Sequence, residues 1–112
     1  MINMAKIFVV YGHHNMKLSF NASIRDTFIN EATKLGHSID LVNLHEEKHL
    51  NFYDGSPPND QVLDYRKRLE KSDIMFMISP CYNLRATAIL ENWIDLVLAP
   101  KWFFSFHRVF GN

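Results

Sequence analysis

The chain has 112 residues, enough for one domain and too few for two. Apolar residues make up 47% and charged residues 21%, as in a packed soluble domain. With 12 basic and 12 acidic residues the formal net charge is zero, which argues against a nucleic-acid-binding protein. The single cysteine, Cys81, allows no internal disulfide and suits a reducing compartment. No apolar run approaches the roughly 18 residues of a membrane span. Residues 1–6 lack the apolar stretch of a secretion signal. The chain is therefore read as cytoplasmic, without membrane insertion.

Ile7-Phe8-Val9-Val10-Tyr11 is a continuous apolar run, rich in β-branched and aromatic residues. It predicts a strand buried on both faces. Gly12 ends it, and residues 13–21 form a polar loop. Phe20, Ile24, Phe28, Ala32 and Leu35 then recur at helical spacing and predict one apolar stripe. Ser19 or Asn21 suits the N-cap, and Gly36 suits a left-handed C-terminal stop. A second strand is expected over residues 39–44. Residues 45–59 form a loop with turn chemistry at Asp54-Gly55-Ser56-Pro57-Pro58.

Val62, Tyr65 and Leu69 mark a second helix that ends near Lys71 and Ser72. The basic run Arg66-Lys67-Arg68 lies within it, beside Asp64 and Glu70, and reads as a solvated face. Ile74-Met75-Phe76-Met77-Ile78 is the third strand, stopped by Ser79-Pro80. A third helix is expected from about Ala86 to Leu98, with Ile89, Leu90, Trp93, Ile94 and Val97 inward, and Pro100 stops it.

The order β-α-β-α-β-α implies an α/β fold with a parallel sheet and right-handed crossovers. A strand-plus-helix unit takes roughly 30 residues, and five such units take roughly 150. Three units in 112 residues lead us to expect one domain short of its C-terminal strands, with a sheet edge uncovered. A fragment, a truncated product and a half completed by a partner chain all fit that expectation.

Three motifs bear on chemistry. His45-Glu46-Glu47-Lys48-His49 matches HExxH, which on a helix places two histidines on zinc. Here it follows a strand, lacks a helical pattern and has only His107 after it, so an exposed loop is the expected reading. Cys81 lacks an adjacent histidine, and Arg85 stands too near for a phosphatase-like loop. It is read as a small half-buried side chain lining a pocket. The loop at residues 12–21 opens a helix, whose free amides and dipole suit phosphate. With only four glycines and no GxGxxG or P-loop pattern, a dinucleotide or ATP loop is not expected.

The loops after the first and third strands belong together. In the order 2-1-3 these strands are neighbours, and the crevice between their carboxyl ends is where doubly wound sheets bind ligands. One loop suits phosphate. The other, with Tyr82 and Asn83, suits a flat hydrogen-bonding ring. A mononucleotide with a planar head such as FMN fits both.

At these residues the chain resembles the flavodoxin-like NAD(P)H oxidoreductases: quinone reductases, their relatives that assist potassium efflux, and FMN-dependent azoreductases. KIFVVYGHHN and SFNASIRD resemble the family's KILVVYGHPN and SFNxxL opening, and LVNLHEEKHL its second-strand exit. SPCYNLRATAILENWIDLVLAP is similar to its flavin loop and following helix. The resemblance implies a flavodoxin-like doubly wound parallel sheet. It implies His13, Ser19, Phe20 and Asn21 at the flavin phosphate and ribityl end. It implies Pro80, Cys81, Tyr82, Asn83 and Leu84 against the isoalloxazine ring, and Phe104 and Phe106 lining the substrate pocket of a homodimer. FMN is the implied cofactor, with FAD as the alternative. NAD(P)H is the implied co-substrate and a quinone or similar small molecule the electron acceptor. A regulatory flavin-binding subunit of a potassium-efflux system, or an inactive half-domain, are the competing readings. The chain departs from the family at His14, Arg85, Thr87 and Glu91.

Overall fold

The computed structural model describes residues 4–99 and Trp102. Three strands form one parallel sheet in the order β2-β1-β3: β1 (Lys6–Tyr11), β2 (Ser38–Asn43) and β3 (Ile74–Ile78). The helices are α1 (Phe20–Lys34), α2 (Asp60–Glu70) and α3 (Ala88–Val97), with a short 3-10 turn at Leu44–Glu46. The expected alternation and strand order are both present. Pro100 lies outside the described residues.

The central strand follows from its sequence. Ile7 through Tyr11 are all buried, because β1 is paired on both edges and covered on both faces. Side chains alternate across a strand, so β1 feeds two cores. Phe8 and Val10 enter one with Val62, Tyr65, Leu69, Leu90, Trp93 and Val97 of α2 and α3. Ile7, Val9 and Tyr11 enter the other, against Ala22 and Ala32 of α1.

The flanking strands differ in kind. On β2, Asp40 takes a two-pronged ion pair from Arg68 of α2, at 2.9 and 2.6 Å. A charged, paired residue suits a strand at a sheet edge. β3 carries five apolar residues and no charge, as strands covered on both faces do. Yet Ile74 is 49% exposed and Met77 41%, and among the described residues no strand pairs with the outer edge of β3.

Three expectations need correction. The basic run of α2 is not simply a solvated face: Arg66 donates to Leu96 O and Val97 O at 3.0 Å, and Arg68 pairs with Asp40 over the Phe8 and Tyr65 rings. The apolar stripe of α1 faces inward only in part: Phe20, Ile24 and Leu35 are exposed, whereas Ala32 is buried and Phe28 stacks on Phe76 of β3 at 4.3 Å. The helix also buries Ala22 and Arg25. Small residues let α1 lie close to the sheet, and Arg25 takes an inward position because each of its guanidinium nitrogens finds a hydrogen-bond acceptor there. The second strand stops at Asn43, since Leu44 begins the 3-10 turn. The expected stop of α1 is present: Gly36 has φ 91°, and its amide donates to Thr33 O.

Candidate functional site at the carboxyl edge of the sheet

β1 and β3 are neighbours, so the loops that leave them emerge side by side at one sheet edge. They are joined at their roots rather than their tips. Gly12 N–H donates to Ile78 O at 2.9 Å. The buried Thr87 hydroxyl donates to Gly12 O at 2.7 Å, and the Thr87 amide donates to Ser79 Oγ at 3.0 Å. Thr87 stands at the N-cap of α3, but its hydroxyl is engaged with Gly12 and makes no capping bond. This strap links β1, β3 and α3. The sequence marked Thr87 only as an unusual residue; its role becomes visible once β1 and β3 are known to adjoin.

The first loop is a small hydrogen-bonded unit. Ser19 is the N-cap of α1, its Oγ accepting from Ala22 N at 3.0 Å. The same hydroxyl can donate to the Tyr11 oxygen at 2.8 Å and lies 3.1 Å from Asn15 O. Tyr11 also donates to Asn15 O at 2.7 Å. Ser19 therefore organises the loop, with its proton and one lone pair engaged within it. Asn15 N–H donates to His13 Nδ1 at 2.8 Å, so in the neutral ring Nε2 carries the proton and is the free donor. Asn21 is half-buried in the first turn of α1, and Phe20 is exposed. No acidic residue stands in that turn, so the positive end of the helix dipole is not offset.

Arg25 lies beneath this loop at 7% exposure. It donates to Met16 O at 2.6 Å, to Asn43 Oδ1 at 3.0 Å and to Asp26 Oδ1 at 2.9 Å, and it stacks over the Tyr11 ring. Its charge is paired with Asp26, and the Asn15, Lys17 and Leu18 amides of the loop are engaged with His13 Nδ1 and Asn15 Oδ1, so the first amides of α1 are the donors that suit an anion. Its polar character hid it from a periodicity argument based on apolar residues.

The second loop is a tight turn. Tyr82 N–H donates to Arg85 O at 2.8 Å, and Arg85 N–H donates to Tyr82 O at 3.1 Å. Asn83 and Leu84 between them have φ 52° and 63°, the paired left-handed values of a type I′ turn. Their amides have no partner among the described residues. Leu84 is 97% exposed, so its strained backbone holds an apolar side chain in the open. Leu84→Gly should raise the unfolding free energy by about 0.5–1 kcal/mol, read by urea denaturation, because strain is removed and little burial is lost. Pro80 is half-buried, and Tyr82 and Asn83 are exposed. Cys81 is exposed rather than half-buried, because the turn projects beyond β3 and no element among the described residues covers it. Phe104 and Phe106 lie outside the described residues.

The HExxH segment is not helical through its length. His45 sits in the 3-10 turn and His49 in irregular chain, so the two are not one α-helical turn apart on a face. Among the described residues no group of three His, Cys, Asp or Glu is placed to hold a metal ion.

Comparison with known proteins agrees with this architecture. The family described as flavodoxin-like fold matches residues 5–110. Ribosyldihydronicotinamide dehydrogenase (quinone) of Mus musculus is 26% identical over 125 aligned positions, covering 89% of this chain and 54% of that protein. The chain thus spans about half the length of the curated relatives it matches. Among solved structures, NAD(P)H:quinone oxidoreductase from Methanothermobacter marburgensis superposes with a TM-score of 0.73 at 20% identity, over 85% of this chain and 53% of that one. A putative quinone reductase from Klebsiella pneumoniae gives 0.75 at 20% identity, over 83% and 45%. At such identity the two structures speak for the fold, and with the family match over residues 5–110 they establish that the chain belongs to the flavodoxin-like fold family.

Proposed function

We propose that the chain is the flavin-binding part of an NAD(P)H:quinone oxidoreductase, acting in the cytoplasm as a homodimer. The observation that carries this reading is the pair of loops leaving β1 and β3, strapped together by Thr87, with the donors of one suited to phosphate and those of the other to a flat ring. The names of the relatives support the reaction class. Residues 1–112 are read as one flavin-binding domain; among the described residues no strand pairs with the outer edge of β3.

The residues present fit FMN. His13 Nε2, the first amides of α1 and the Asn21 side chain would hold the phosphate and ribityl end. Ser19 would fix the loop that presents them, and Phe20 would shield it. Arg25, paired with Asp26, would brace the loop from below through Met16 O. The unpaired amides of Asn83 and Leu84 would meet the polar edge of the ring, with Pro80, Cys81 and Tyr82 beside it. Donors aimed at that edge favour negative charge there. When bound, the flavin supplies the hydride chemistry between NAD(P)H and a quinone, while the protein orients it and excludes competing reactions.

Incubation with excess FMN, desalting and a visible spectrum test this reading. A flavin band that stays with the protein is expected. A colourless protein whose mass confirms 112 residues would remove the flavoenzyme reading from this chain.

A further inference from the structure

A cavity of about 600 Å³ lies on the other side of the β3–α3 loop, between the 3-10 turn, α2 and the start of α3. Its size is that of a small-molecule site. Of the nine residues assigned to flavin only Tyr82 touches it, so it is a separate space. Leu44, Leu50, Phe52, Tyr65 and Ile89 give it apolar and aromatic walls. Its polar side is basic: His14, His45, Lys48 and His49 converge there. The imidazoles form a group. His13 and His14 stack at 4.4 Å, and His14 meets His45 edge-on at 6.5 Å.

The groups facing the cluster can be taken element by element. The β1–α1 loop offers His14, with His13 stacked behind it. The stretch after β2 offers His45, Lys48, His49 and the carboxylate of Glu47 to the cavity, and Glu46 lines the neighbouring surface beside His14. The Glu47 carboxylate accepts from the Tyr65 hydroxyl of α2 at 2.7 Å, which ties it to the wall. The β3–α3 loop offers Tyr82, and α3 offers no titratable group to the cavity. Partial burial, then His14 and His13, hold the His45 pKa below its ordinary value. An anion beside His45 would oppose that effect and favour its charged form.

We propose that this cavity is a second ligand site, for a flat aromatic molecule bearing an acidic group, with the aromatic part on Leu50 and Phe52 and the acid facing His14 and His45. Nothing in the flavin assignment requires it. Because the anion favours protonated imidazole, binding draws in protons and strengthens as pH falls.

The test uses naphthoate and its neutral isostere naphthamide as probes, titrated into the full chain without flavin, with histidine ring signals followed by NMR. Naphthoate should bind about tenfold more tightly than naphthamide at about pH 6, and within about twofold of it at about pH 8. The His14 and His45 ring signals should shift. The His14→Gln, His45→Gln double variant should lose the preference seen at the lower pH. Equal binding of the two probes at both pH values, unmoved histidine signals, or a preference that survives the double variant would each overturn the proposal. None of these readouts depends on flavin or turnover, so failure here is distinct from failure of the flavoenzyme reading.

Discussion

Trp93→Ala should lower the unfolding free energy by about 3–5 kcal/mol, the largest loss expected from any single truncation in this chain. Trp93 is fully buried on α3 and is the largest such side chain. Its ring stacks on Phe8 of β1 at 5.9 Å and meets Tyr65 of α2 edge-on at 5.9 Å. One side chain thus ties α3 to the sheet and to α2. Truncation would leave a cavity at the junction of three elements that cannot all move inward. Trp93→Phe sharpens the test. The indole N–H is buried with no partner among the described residues, so phenylalanine removes an unsatisfied donor while keeping the stack. It should cost no more than about 1 kcal/mol by the same denaturant titration. A large loss from both variants would mean that the N–H has a partner and that its energetics, not ring packing, dominate.

The sequence was a good guide wherever burial was continuous. Ile7 to Tyr11 and Ile74 to Ile78 read as strands because every residue is apolar, and the structure places strands there. Leu90, Trp93 and Val97 read as the inner face of α3 and are buried. Legibility failed where the buried group is polar or the exposed group is apolar. Arg25 is buried because three hydrogen-bonding partners and an aromatic face replace water around its guanidinium, and no hydrophobic pattern encodes that. Phe20 and Leu84 stand in the open, which a periodicity argument cannot anticipate.

The candidate site was legible as two loops, since each follows a strand and strand order follows from alternation. What joins them was not. Thr87 reaches Gly12 across 75 positions of chain, a contact that exists only after β1 and β3 pair. The resemblance to a family supplied roles for the loop residues but gave no reason for a threonine at position 87. The strap gives one: a hydroxyl is needed because Gly12 presents a buried carbonyl at that point.

Gly12→Ala should therefore cost about 1–3 kcal/mol of stability and abolish flavin retention together. The backbone at Gly12 is not left-handed, so the expected effect is steric rather than conformational. A methyl group there would lie 2.9 Å from Leu90 Cβ and 3.0 Å from Thr87 Oγ1. Leu90 Cβ is fixed to the backbone of α3, so relief requires the helix to withdraw. Withdrawal lengthens the Thr87–Gly12 bond and separates the two loop roots. Thr87→Val is the companion variant. It keeps volume but leaves the buried Gly12 carbonyl unpaired, at a cost of about 1–3 kcal/mol. If the strap is one unit, the double variant should lose less than the sum of the two single losses, since the first change already breaks the bond that the second removes. Simple additivity, or a Gly12→Ala protein as stable as the parent and still retaining FMN, would show that α3 yields freely and that the crevice does not depend on its position.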